Sequence, residues 1–115
     1  MNEPSDAPRT AAGTRRRTAT CVVPFVEIDL AAADDFGALL RAFSATALDG
    51  DGSPPLVFLE LSSVESIGSA GLGRLAAFVD GAERDGARVR LVGVRPDVTR
   101  LLDAAGMGEL VERRR

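Results

Sequence analysis

The capacity for chemistry in this chain is concentrated in seven consecutive residues, Ile67-Gly68-Ser69-Ala70-Gly71-Leu72-Gly73. They follow the apolar run 56–61 and open a stretch with helical spacing. A small-residue turn between a buried strand and a helix presents free backbone N–H groups and one hydroxyl at a helix N-terminus. Such a place holds a phosphate or seats a partner's loop. Ser69 reads in two ways. As a helix N-cap, its hydroxyl accepts a bond from an N–H of the first turn. As a phosphoacceptor, it gains about −1.5 to −2 charges, which a helix N-terminus tolerates and which obstruct a partner packed on this face. Gly68 and Gly71 suit tight turn geometry and close helix–sheet approach. A Walker-type phosphate loop is excluded, because the chain has no lysine and the glycine spacing differs.

A second candidate is the carboxylate pair Glu27 and Asp29, at the end of the first extended segment. In an open α/β sheet, strand ends and the loops after them form the functional rim. The bland alternative has Glu27 alternating outward and Asp29 capping the next helix. Nothing else in the chain supplies a matching acid, base or cleft for a paired-carboxylate active site. With no histidine and one cysteine, Cys21, the chain lacks His-based acid–base catalysis, Cys–His dyads and nearly every transition-metal site. No catalytic residue, metal site or cofactor is therefore expected. Cys21 sits in an apolar run and reads as a buried structural thiol. A lone cysteine forms no internal disulfide, which fits a reducing compartment.

The elements that position these residues follow from periodicity. Residues 1–17 are polar, rich in Pro, Thr, Ala and Arg, and read as a disordered basic tail. Residues 20–29 are extended. Pro24 cannot donate to a ladder, so they form an edge strand or two short strands broken at Pro24. Asp29 or Asp34 caps a helix whose apolar face is Phe36, Leu39, Leu40, Phe43 and Ala47. Residues 48–55 are a loop by composition. Residues 56–61 form a strand, apolar except at Glu60, as for a central strand covered on both faces. A second helix starts near Ser69, with Leu72, Leu75, Ala76 and Val79 inward, and Asp85-Gly86 ends it. Residues 88–92 alternate as a strand. Pro96 starts a third helix with Val98, Leu101, Leu102 and Ala105 inward, and Gly106 ends it. Met107, Leu110 and Val111 close onto the core. Strands alternating with helices at this spacing predict right-handed crossovers and a mainly parallel sheet.

Charge and composition narrow the partners. All 14 cationic residues are arginine. Residues 18–112 carry seven arginines against fifteen acids, with short basic ends at 1–17 and 113–115. An acidic body without Trp or Tyr argues against nucleic acid binding. No apolar run is long enough to span a membrane and no apolar segment follows the N-terminal charges, so a cytoplasmic location is expected. The Arg-rich ends read as solvated tails. The oligomeric state is not legible.

Four segments together resemble a STAS domain of the anti-sigma factor antagonist type. Val26-Glu27-Ile28-Asp29 resembles the family's Gly-Glu-hydrophobic-Asp segment, and residues 57–64 resemble its strand followed by Leu-Ser-x-Val. Residues 67–73 resemble its Ile-Asp-Ser-Ser-Gly-Leu-Gly turn. Residues 89–94, 98–102 and 105–107 resemble its last strand and helix. The resemblance implies one α/β domain over 18–112, a mainly parallel four- to five-stranded sheet with three to four helices. It implies a non-enzymatic protein that binds a cytoplasmic anti-sigma factor, usually a small Ser/Thr kinase, with a phosphatase resetting the switch. Glu27, Asp29, Gly68, Ser69, Ala70, Gly71 and Leu72 would be its partner-binding residues. The sequence departs from the family at Val26, Gly68 and Ala70. Alanine accepts no phosphate, so the resemblance implies either constitutive binding without a switch at Ala70 or Ser69 as the acceptor. Hydroxyl-Ala-Gly turns also resemble those of STAS subunits that support the ATPase of lipid-transport ABC systems, an alternative partner.

Overall fold

Pro24 sets the first break in the backbone. In the computed structural model, which describes residues 17–48 and 54–113, strand β1 (Thr18–Val22) stops two residues before it. A two-residue strand, β2 (Glu27–Ile28), follows. Of the two arrangements the proline permits, the chain takes the broken one. The order continues as α1 (Leu30–Ala47), β3 (Leu56–Glu60), β4 (Ser66–Ile67), α2 (Ser69–Arg84), β5 (Arg88–Val92), α3 (Pro96–Ala104) and a 3-10 turn (Gly108–Leu110). All of the expected tail but Arg17, all of the basic end but Arg113, and most of the 48–55 loop lie outside the described residues; Arg113 pairs with Asp103 at 2.9 Å.

Every strand pairing is parallel. β3 lies between β1 and β5 in a three-stranded sheet, and β2 pairs with β4 in a separate two-stranded ladder. The mainly parallel α/β architecture is thus present, divided three plus two. β3 is central, as expected, but only one of its faces is sealed. Val57 and Leu59 are fully buried, while Leu56, Phe58 and Glu60 on the opposite face are half-buried. The alternation of β5 has the same sense, with Val89 and Leu91 inward. Val111 forms a parallel bridge with Leu91, and the Glu112 N–H donates to the Leu91 carbonyl at 2.8 Å. The closing segment thereby covers the outer edge of β5.

The helices bury the stripes their spacing dictates, with two differences. On α1, Ala33, Phe36, Gly37 and Leu40 are buried, and Leu39 and Phe43 pack at the margin. Phe25 meets Phe36 edge-to-face, with ring centroids 6.0 Å apart. On α2 the inner stripe is Gly71, Leu75, Val79 and Ala82, with Leu72 half-buried. Ala76 is exposed instead of inward, because it lies 100° around the helix from Leu75. On α3, Val98 and Leu102 are buried, whereas Leu101 and Ala105 face solvent. This nine-residue helix packs only a narrow stripe. Gly86 (φ 91°) and Gly106 (φ 82°) end α2 and α3 in the left-handed region that suits glycine.

Candidate functional site

The β2–β4 ladder is what assembles the candidate residues. Its register pairs Glu27 with Ser66 and Ile28 with Ile67. Each strand then runs into a helix: Ile28 through Asp29 into α1, and Ile67 through Gly68 into α2. The Gly68 N–H donates to the Ile28 carbonyl at 2.9 Å and locks the two crossings together. Because the strands are parallel, the N-termini of α1 and α2 stand side by side at one end of the ladder. Glu27, Asp29, Gly68 and Ser69 therefore share one corner although about forty residues separate the two segments.

Asp29 is the N-cap of α1, its Oδ1 accepting from the Ala32 N–H at 3.0 Å. Of the two capping candidates in the sequence it is the one used, and Asp34 instead pairs with Arg74 across to α2. Glu27 points to solvent, as the outward alternation predicts. Ser69 is not a cap. Gly68 occupies the N-cap position of α2 in extended conformation with no side-chain cap, and Ser69 is the first helical residue. The reason lies in the Gly68 bond to Ile28, which holds Gly68 in the ladder's direction and shifts the helix start by one residue. The first α2 amide to reach a carbonyl is that of Leu72, bonded to Gly68 at 2.9 Å. The amides of Ser69, Ala70 and Gly71 precede the ladder, as in any helix start.

Burial separates the two central positions of the turn. Ser69 is exposed, whereas Ala70 is half-buried and Gly71 is buried. Gly71 is where α2 presses on the ladder. A Cβ there would lie 2.6 Å from Ile28 Cγ2 and 2.9 Å from Ile67 Cγ1. At Gly68 the nearest atom would be 3.9 Å away, so that position has room for a side chain.

Sequence reasoning missed two residues of this corner, and an arginine outside it. Leu30, the first residue of α1, is 83% exposed, and Val26 is 53% exposed. They stand at the two ends of the Glu27–Asp29 segment as large apolar groups in water. The local pattern hid them, since Val26 follows the apolar Val22, Val23 and Phe25 and Leu30 precedes three alanines, so neither stands out as an exposed apolar group. Arg95 donates from Nε to the Ser62 carbonyl at 3.1 Å and shares a shallow cleft with Glu65. Nothing in the sequence connected Arg95 with Ser62. Burial pushes the Cys21 thiol above its usual range, consistent with the structural thiol expected. Among the described residues no group of His, Cys, Asp and Glu is arranged to hold a metal, and no helix is long and apolar enough to cross a membrane.

These features define a small parallel α/β domain that presents a strand-to-helix corner at its surface. The chain belongs to the STAS domain family, whose model matches residues 12–114. Among curated proteins no relative matches. The fold is similar to that of a candidate anti-sigma factor antagonist from Thermotoga maritima, at 23% identity and TM-score 0.62 over 81% of this chain and 76% of that one. It is also similar to the STAS domain of a SulP transporter from Vibrio cholerae, at 20% identity and TM-score 0.66 over 85% and 70%. A third similar structure is the Bacillus cell-fate determinant SpoIIAA in its phosphorylated form, at 16% identity and TM-score 0.60 over 89% and 86%.

Proposed function

We propose that this chain is a regulatory binding protein of the anti-sigma factor antagonist type. Its partner is a cytoplasmic anti-sigma factor of the Ser/Thr kinase kind, seated on the turn 68–73 and the adjoining start of α2, with Glu27 and Asp29 at its rim. The observation that carries the reading is the exposure of Leu30 beside Ser69, a large apolar group with no packing role at the corner where the family turn falls. Ala70 has no hydroxyl, so the usual switch at that position is absent. Ser69, exposed at the first position of α2, is the acceptor that remains.

The test uses the purified chain with a kinase-type anti-sigma factor from its own genome. Binding is measured by calorimetry, and phosphate transfer by intact mass after incubation with ATP. Wild type binds and gains one phosphate, Ser69→Ala binds without gaining it, and Leu30→Asp folds but does not bind. Equal binding by Leu30→Asp would refute the placement. Absence of phosphate on wild type would leave a constitutive antagonist. The likeness to a SulP transporter's STAS domain supports a second reading, association with a transport protein, and the Ser69-Ala70-Gly71 turn points that reading to the ATPase of a lipid-transport ABC system. Binding of that ATPase, with none to the kinase, would select it.

A further inference from the structure

The solvent-facing crevice between α1 and α2 lies outside everything proposed above. It is a half-open cavity of about 320 Å³. Its floor is apolar, formed by buried Leu40 and by Phe78, whose ring rests 6.3 Å from that of Phe43. Two glycines keep it open. A Cβ on Gly81 would meet nothing within 4 Å. On Gly37 it would meet Arg74 Cδ at 3.2 Å and Arg41 Nη1 at 3.4 Å, so both arginine side chains cross the space a side chain at 37 would fill. Arg74 is paired with Asp34, whereas Arg41 makes no ion pair among the described residues. Asp85, at the other end of α2, gives the far end of the crevice the opposite charge.

We propose that this crevice binds a small amphiphile with a linear apolar chain and a carboxylate, the head between Arg41 and Arg74 and the chain running along Leu40 and Phe78 toward Gly81. The charge asymmetry selects the head and its direction, since Asp85 repels a carboxylate placed the other way. Size selects the chain. With about 30 Å³ for each group the size of a water molecule, the cavity takes on the order of ten such groups. A partner's helix fits worse, because it needs a trough clear along its length and the two arginine arms cross this one at Gly37.

The test titrates ¹⁵N-labelled protein with hexanoate, octanoate and 1-octanol, each below its aggregation limit. Octanoate shifts the amides of Gly37, Ala77 and Gly81, and hexanoate binds more weakly by about fourfold for each methylene removed. Octanol binds at least tenfold more weakly. Arg41→Gln weakens octanoate at least fivefold and leaves octanol unchanged. Gly81→Leu fills open space and improves helix propensity; it stays folded by circular dichroism and binds no octanoate. The proposal fails if octanol matches octanoate, if the shifts survive Gly81→Leu, or if no carboxylate shifts these amides at millimolar concentration. It also fails if an acidic amphipathic helical peptide displaces octanoate and binds more tightly, which would make the crevice a helix dock. None of these outcomes depends on the partner at Ser69.

Discussion

Replacing Gly71 and Gly73 by alanine, one at a time, should give stability changes of opposite sign. The two residues lie two positions apart on α2, and the added group is the same methyl. Its intrinsic effect in a helix interior favours alanine by roughly 0.8–1 kcal/mol. At Gly73 a Cβ meets nothing within 4 Å, so that gain is realised almost whole. At Gly71 the methyl would stand 2.6 Å from Ile28 Cγ2, 2.9 Å from Ile67 Cγ1 and 3.0 Å from the Ile28 carbonyl. Ile28 is fully buried and its carbonyl holds the Gly68 amide, so neither the side chain nor the backbone has an easy way to withdraw. Overpacking of this kind costs about 1–3 kcal/mol. Set against the alanine gain, the net expectation is a loss of up to about 2 kcal/mol for Gly71→Ala and a gain of about 0.5–1 kcal/mol for Gly73→Ala. For a domain of this size that is roughly 4–8 °C in Tm for each kcal/mol. Urea denaturation with matched slopes is the assay. A Gly71→Ala protein stabilised as much as Gly73→Ala would refute the close approach of α2 to the ladder, and with it the account of how the corner is assembled.

Asp29→Ala should remove the cap of α1 and lower stability by about 1 kcal/mol, read from the urea midpoint. Cys21 has a pKa raised by burial, so the native state keeps its proton where the unfolded chain loses it. Stability is then full below the unfolded value of about 8.5 and falls as pH rises beyond it. The chain has no lysine or tyrosine, so little else among its side chains titrates in that window. Urea midpoints from pH 8 to 10 should decline for wild type and lose that decline in Cys21→Ala.

Most of the scaffold was legible because its period is carried by strongly apolar residues. Val57 and Leu59 in β3, Val89 and Leu91 in β5, and Phe36 and Leu40 in α1 announce their faces without help from tertiary context. The break at Pro24 and the glycine ends at 86 and 106 follow from backbone restrictions local to those residues. What escaped was set by pairing between distant segments. Two-residue strands such as β2 and β4 have no period to detect, so the separate ladder was invisible and its effect on Gly68 with it. That is why the local pattern offers Ser69 as a cap, one of its two readings, although it is the first helical residue. The exposed side of Leu101 was misread because a nine-residue helix has several stripes of similar hydrophobicity, and only packing chooses between them. At the candidate site the carboxylates and the turn were visible as residue types, but their meeting at one corner was not. Arg95 reaching the Ser62 carbonyl across 33 positions left no trace in local pattern.

The β2–β4 ladder has only two residues on each side, yet both helices begin from it. The corner can therefore loosen without the three-stranded sheet coming apart, because so short a ladder protects little backbone from solvent. Exchange of the Gly68 amide hydrogen, bonded to Ile28, would report that local opening, while the amides of β3 would report unfolding of the whole. The gap between the two rates measures how far the starts of α1 and α2 move independently of the body. Any ligand that grips both starts at once narrows that gap, so occupancy of the corner can be followed from inside the protein, at an amide the ligand need not touch.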